Sequence, residues 1–157
     1  MTGIQFIDST PIEVCHPRRA HAHQVFKALV GWGKNSVGWH FGFKLYLIIN
    51  HRGELLAFKL TPANTDGREP VPDLTQDLLG KLFGDRGYIS QQLFEALYQR
   101  GLQLVTKCKK NMKQRLVKLI DQILLRKRSL IETVNDQLKN ICQIEHSRSS
   151  QCIQQSR

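Results

Sequence analysis

Apolar positions recur along this chain with two different periods, one of strands and one of helices. The first group, Ile4, Phe6 and Ile7, predicts a short strand over about residues 3–8, closed by Asp8. A polar stretch rich in Arg, His and Gly then runs to about Val37 and reads as a loop with a short helix. In GWHFGFKLYLIINHRGELLAFKLTPAN, an apolar run from Phe41 to Ile49, a turn from Asn50 to Gly53 and a second run from Leu55 to Leu60 predict a hairpin. Three antiparallel strands in sequence are the expected opening. The cluster Pro62, Asn64, Asp66 and Gly67 stops the sheet.

Helical spacing first appears over Val71 to Leu79, with Leu74, Leu78 and Leu79 on one side. After Gly80 the pattern predicts a strand from Lys81 to Asp85, a turn at Gly87, and a helix from Gln91 to Arg100 with Ser90 as N-cap and Gly101 as terminator. Leu102 to Thr106 is a further short strand, and 107–115, KCKKNMKQR, a basic loop. From about Lys113 onward Leu116, Leu119, Ile120, Ile123 and Leu124 carry a helical period. A last helix, near Arg128 to Ile144, directs Leu130, Ile131, Val134, Leu138 and Ile141 to the core. The predicted order βββαβαβα is that of an α/β protein, a mixed sheet flanked by helices. Periodicity ends in HSRSSQCIQQSR, which is not expected to pack.

With 157 residues and 41% hydrophobic content, the chain is expected to form one domain with a real core. Its net charge of +10 changes the picture, because such an excess suits a polyanionic partner. Residues 1–100 carry 11 basic and 9 acidic side chains, a net of +2, whereas residues 101–157 carry 12 and 4, a net of +8. A phosphate-facing surface is therefore expected mainly from the last third. No apolar run approaches the roughly 20 residues that span a bilayer, and no leader pattern opens the chain, so no membrane role and a cytoplasmic location are expected. Cys15, Cys108, Cys142 and Cys152 form no CxxC pair and read as free thiols. His16, His21 and His23 lack evident partner ligands and read as surface or loop histidines.

Three carboxylates carry the candidate chemistry. Asp8 and Asp85 stand at predicted strand ends, and Glu132 within the last helix. Taken singly, Asp8 in DSTP and Asp85 in DRG have a bland reading as turn residues, and Glu132 as part of a solvated helix face. Taken together, they can converge on two divalent ions, Mg²⁺ or Mn²⁺, set roughly 3.5 to 4 Å apart for in-line phosphodiester displacement. Arg128, Asn135, Asp136 and Lys139 share the helical face of Glu132, and Arg128 and Lys139 flank the acid with cations suited to phosphates.

The segments FIDSTPIEVC, GWHFGFKLYLIIN, LTPANTDGR, GKLFGDRGYIS, KKNMK and LLRKRSLIETVNDQLKNICQIEHSR closely resemble the DDE transposases of bacterial insertion sequences, over roughly residues 3–148. That resemblance implies a ribonuclease-H-like fold with Asp8, Asp85 and Glu132 as the catalytic, metal-binding acids. It also implies transposon ends and target DNA as partners, contact with the nucleoid, and an active complex that can be a homodimer. Many such enzymes share a Tyr, Arg, Glu, Lys signature with two, three and six residues between. Arg128, Glu132 and Lys139 fit it, while Leu125 stands at the tyrosine position. Lys109, Lys110 and Lys113 are further DNA-binding candidates. Beyond Arg148 the pattern stops, so residues 1–148 are expected to be an incomplete catalytic domain and 149–157 a divergent tail. The expected function is metal-dependent cleavage and strand transfer, in a remnant with little activity of its own. The competing readings are another ribonuclease-H-like nuclease, such as a resolvase, and a basic DNA-binding remnant without turnover.

Overall fold

The computed structural model describes residues 3–24, 26, 28–35, 37–107 and 119–145. Strands β1 (Ile4–Cys15), β2 (Gly31–Lys34), β3 (Trp39–Asn50), β4 (Leu55–Pro62), β5 (Gly80–Gly84) and β6 (Leu102–Thr106) form one sheet in the order β2-β3-β1-β5-β6, with β4 also on β3. Helices α1 (Val71–Leu74), α2 (Gln91–Gln99), α3 (Leu119–Arg126) and α4 (Ser129–Asp136) accompany it, and a π turn over Gln137–Ile141 follows α4. The architecture is a mixed α/β sheet. β2 pairs antiparallel with β3, whereas β1, β5 and β6 run parallel to one another.

The chain divides into two compact units, one made of residues 1–8, 46–59 and 66–133, the other of 9–45, 60–65 and 134–157. The first unit holds the main core. Ile7, Tyr46, Ile48, Leu82, Leu102 and Leu104 from the strands meet Val71, Leu74, Leu93 and Leu97 from the helices. Their burial follows from parallel strands covered by helices, which bury both faces and read as apolar runs instead of alternation. Ser90 caps α2 by accepting from the Leu93 amide at 3.3 Å, and Gly101 ends it at φ +80°, a conformation glycine adopts without steric cost. The predicted β3–β4 hairpin is present. Asn50 organises its turn, its Oδ1 accepting from the Arg52 and Glu54 amides at 2.9 and 3.0 Å.

The second unit holds strand pairing that local sequence does not announce. β1 does not end at Asp8 but continues through Pro11 to Cys15. Gly42 of β3 explains the continuation, since a Cβ there would lie 2.1 Å from the Ile12 carbonyl oxygen. Glycine thus lets the distal half of β1 close on β3, and the pairing overrides the turn chemistry of Ser9, Thr10 and Pro11. The stretch read as a loop to Val37 also contains β2, four residues paired with Trp39 to Gly42. The opening is therefore four strands, and the order is ββββαβαβαα. His16 caps a short 3-10 turn at Pro17–Ala22, its Nδ1 accepting from the Arg18 amide at 3.3 Å.

Two helices differ from expectation. α1 stops at Leu74, where the Thr75 hydroxyl donates to the Val71 carbonyl at 2.7 Å; Leu78 is still buried but Leu79 is exposed. On α3 the buried side chains are Asp121 and Leu125, while Leu119, Ile120 and Ile123 are exposed. The cause is an ion pair: Lys81 of β5 donates to Asp121 Oδ1 at 2.6 Å and draws a polar position inward. α3 packs on β5 and β6 through that face. Among the described residues no helix is long and apolar enough to cross a membrane. The expected last helix keeps Ile131 buried and leaves Ile141 exposed. The tail 149–157 lies outside the described residues.

Candidate active site

Asp8 and Asp85 occupy equivalent places on neighbouring parallel strands. Ile4, Gln5 and Phe6 pair with Lys81, Leu82 and Phe83, and each aspartate stands two residues beyond the Phe6–Phe83 pair, whose rings lie 5.7 Å apart. Period-two geometry puts each acid on the same face as the phenylalanine before it. Asp8 is within β1, not at its end as expected, because β1 continues. Asp85 does follow the last residue of β5 and caps a 3-10 turn, its Oδ1 accepting from the Arg86 amide at 2.6 Å.

Gly84, between Phe83 and Asp85, leaves room for the Tyr88 and Ile7 side chains. A Cβ on it would lie 3.0 Å from Tyr88 Cδ2 and 3.1 Å from Ile7 Cγ2, tighter than ordinary contacts. The glycine between Phe83 and Asp85 thus admits Tyr88 to the core beside Ile7. The tripeptide Phe-Gly-Asp was visible in the sequence, but its meaning depends on β1 lying alongside.

Glu132 comes from α4, anchored by the fully buried Ile131. Arg128, the residue before the helix, reaches all three acids. Its Nη2 donates to Glu132 Oε1 at 2.9 Å, and its Nη1 lies 4.0 Å from both Asp8 Oδ1 and Asp85 Oδ1. Arg128 and Asp8 are about one-fifth exposed at the side chain, against 58% for Asp85 and 55% for Glu132. Nη1 is buried and makes no hydrogen bond among the described residues. Two long contacts to carboxylates therefore stand in for a directed donor pair. Arg128 is thus shared among three acids that repel one another.

Carboxylate oxygens are the donor type that Mg²⁺ and Mn²⁺ prefer, and these three acids surround a cationic group already. Their donor type is the one such ions take. Their spacing is that of acids around a guanidinium: among the described residues no group of three His, Cys, Asp or Glu side chains is drawn close enough to hold one ion.

Lys139 lies on the π turn and pairs with Glu145 at 2.9 Å. The Cys142 amide donates to the Gln137 carbonyl, five residues back, at 3.0 Å. That wider turn breaks the 3.6-residue phase on which Lys139 was aligned with Glu132. Lys109, Lys110 and Lys113 lie outside the described residues. Leu125, at the signature's tyrosine position, is buried. Sequence reasoning missed Gly84 and the Lys81–Asp121 pair. The isolated acid of α3, surrounded by Leu and Ile, was the available signal for the latter.

The profile of the family described as Transposase DDE domain matches residues 1–152, and the chain belongs to that family. Among solved structures, the cryo-EM structure of the piggyBac transposase synaptic complex with hairpin DNA is similar to it with a TM-score of 0.44 and 15% identity. The match covers 75% of this chain and 25% of that one, so this chain spans about a quarter of that protein's length. No curated protein matches the chain.

Proposed function

We propose that this domain breaks and joins DNA phosphodiester bonds during transposition of an insertion sequence, with Asp8, Asp85 and Glu132 as its catalytic carboxylates. The observation that carries the reading is the reach of one guanidinium to all three acids, from β1, the end of β5 and the start of α4, in a member of the DDE family. Asp8 and Asp85 are fixed by strand pairing, and Glu132 by a helix anchored through Ile131, which limits the reorganisation needed to hold charge.

Asp8, Asp85 and Glu132 are the residues that hold Mg²⁺ or Mn²⁺ in this reading. When bound, two such ions supply Lewis acidity for the attacking and leaving oxygens of an in-line displacement. The chain's own groups do the positioning. Arg128, once turned from the acids, presents a planar fork to a phosphate. Two displacements follow in order. A water oxygen attacks phosphorus at the transposon end and the 3′ oxygen leaves; that 3′ hydroxyl then attacks a phosphodiester of target DNA, and another 3′ oxygen leaves.

A second reading, DNA binding without turnover, is favoured by the net charge of +10, which serves binding whether or not the acids act. Nicking of supercoiled plasmid separates the two. Cleavage that requires Mg²⁺ or Mn²⁺ and disappears in Asp85→Ala and Glu132→Gln is expected. Retention of DNA without any nicking, at all divalent-ion concentrations, would establish the binding-only reading.

A further inference from the structure

Both tryptophans of this protein lie on one face of the β2–β3 hairpin. The register sets Trp32 opposite Phe41 and Lys34 opposite Trp39, so these four side chains share a face and Trp32 and Trp39 are diagonal neighbours. Trp32 is 44% and Trp39 59% exposed, and Val37 at the tip is 94% exposed. Lys34 Nζ sits 5.6 Å from the Trp39 ring centroid. The Trp32 ring leans on the buried Phe41 at 5.3 Å. The tip is organised: Asn35 Oδ1 accepts from the Val37 and Gly38 amides at 2.9 Å each, and the Asn35 amide donates to the Gly38 carbonyl.

Charge along this part of the chain is one-sided. Between Val14 and Leu45 there are five cations, Arg18, Arg19, Lys27, Lys34 and Lys44, and no Asp or Glu. Exposed indoles on an ordered hairpin, with an ammonium above one ring and no acid in the surrounding sequence, match the chemistry of unpaired nucleotides. Each base offers a π-face for stacking and each linkage an anion. A second copy of this chain would bring charge of the same sign, which disfavours it as the occupant.

We propose that the Trp32–Lys34–Trp39 face binds single-stranded or locally unpaired DNA, stacking bases on the two indoles with Lys34 on the adjacent phosphate. The proposal rests on DNA being this domain's substrate and adds the form of DNA and the surface that receives it. Duplex DNA keeps its bases stacked inside, so the face discriminates in favour of unpaired strand.

Because Trp32 and Trp39 are the sole tryptophans, intrinsic tryptophan emission reads this face alone. The full chain is titrated with an unlabelled oligo-dT strand and with a duplex of equal length, while anisotropy of labelled DNA reports binding independently. The expected result is quenching by the single strand with little change from the duplex. Trp39→Leu is expected to weaken single-strand affinity roughly tenfold, with Trp39→Phe restoring most of it and Lys34→Gln giving a smaller loss. Circular dichroism checks folding of each variant. Single-strand binding by anisotropy without quenching, or unaffected by Trp39→Leu, overturns the assignment of this face while DNA remains the substrate. Absence of binding to either form overturns both readings. An emission shift on raising protein concentration, with DNA silent, gives the face to a second copy and overturns the proposal.

Discussion

Arg128 and Glu132 are joined across one helical turn, with Nη2 donating to Oε1 at 2.9 Å. The same guanidinium lies 4.0 Å from Asp8 and Asp85. It therefore acts as a tethered counter-ion for acids that otherwise repel one another. Opposite charges 4 Å apart attract by roughly 4 kcal/mol at an effective dielectric near 20, and exposure of the partners reduces this to about 1 kcal/mol. Arg128→Met is expected to raise Mn²⁺ affinity roughly tenfold by removing the competitor. It should also lower the melting temperature in chelator. Isothermal titration with Mn²⁺ checks the first and thermal unfolding the second; weaker Mn²⁺ binding would show that Arg128 organises the acids instead of competing for them.

Gly84→Ala is expected to cost about 1–3 kcal/mol in urea unfolding, because its new methyl meets Tyr88 and Ile7 at 3.0 and 3.1 Å. The added methyl meets core side chains and not the acids, so plasmid nicking should fall only with the folded fraction. A variant of wild-type stability would show that Tyr88 and Ile7 move aside at no cost.

Lys81→Met leaves Asp121, 7% exposed at its side chain, without its cation. Breaking a buried pair by removing one partner costs about 3–5 kcal/mol, whereas replacing both by apolar side chains is often close to neutral. Since Lys81 is 31% exposed, the lower end is expected for the single variant. Lys81→Met/Asp121→Leu should recover most of the loss. Denaturant midpoints of the wild type and the two variants decide the matter.

The Lys59 ammonium, donating to Asp73 Oδ2 at 2.7 Å, holds the Asp73 carboxyl below its usual range through a hydrogen bond and then charge attraction. A carboxylate with a lowered folded pKa contributes stability that is complete above the unfolded value, near 3.8, and is lost as pH falls through the folded one. Wild-type stability should thus decline more steeply below about pH 4 than that of Lys59→Met. Identical acid limbs in unfolding curves would dismiss the link between β4 and α1.

DNA affinity is expected to fall steeply with salt, because a chain of net charge +10 releases counter-ions in proportion to the phosphates it neutralises. Replacing Lys109, Lys110 and Lys113 by Ala should reduce the slope of log affinity against log salt by up to about 3, and lower affinity for all sequences alike. An unchanged slope in filter binding or anisotropy would remove these lysines from the DNA contact.

Much of the fold was legible because it rests on local rules. Ser90 and Gly101 bound α2, and Asn50 to Gly53 turn the β3–β4 hairpin, through residues whose conformational preferences act within a few positions. The errors came from distant partners. β1 runs past Asp8 because Gly42 admits Ile12, and β2 exists because Trp39 to Gly42 give it a ladder. α3 turns Asp121 inward because Lys81, 40 residues away in sequence, waits on β5. Hydropathy alone assigns the opposite face.

The candidate site divides in the same manner. Three acids, the cations around one of them and the net positive charge belong to the sequence by itself, since residue type and spacing specify them. The meeting of Asp8, Asp85 and Glu132 around Arg128 belongs to the tertiary structure. It follows from the parallel register of β1 with β5 and a helix anchored by Ile131. Only the Arg128–Glu132 pair, four residues apart, lies within a local window; the reach to Asp8 and Asp85 depends on which side chains packing brings together.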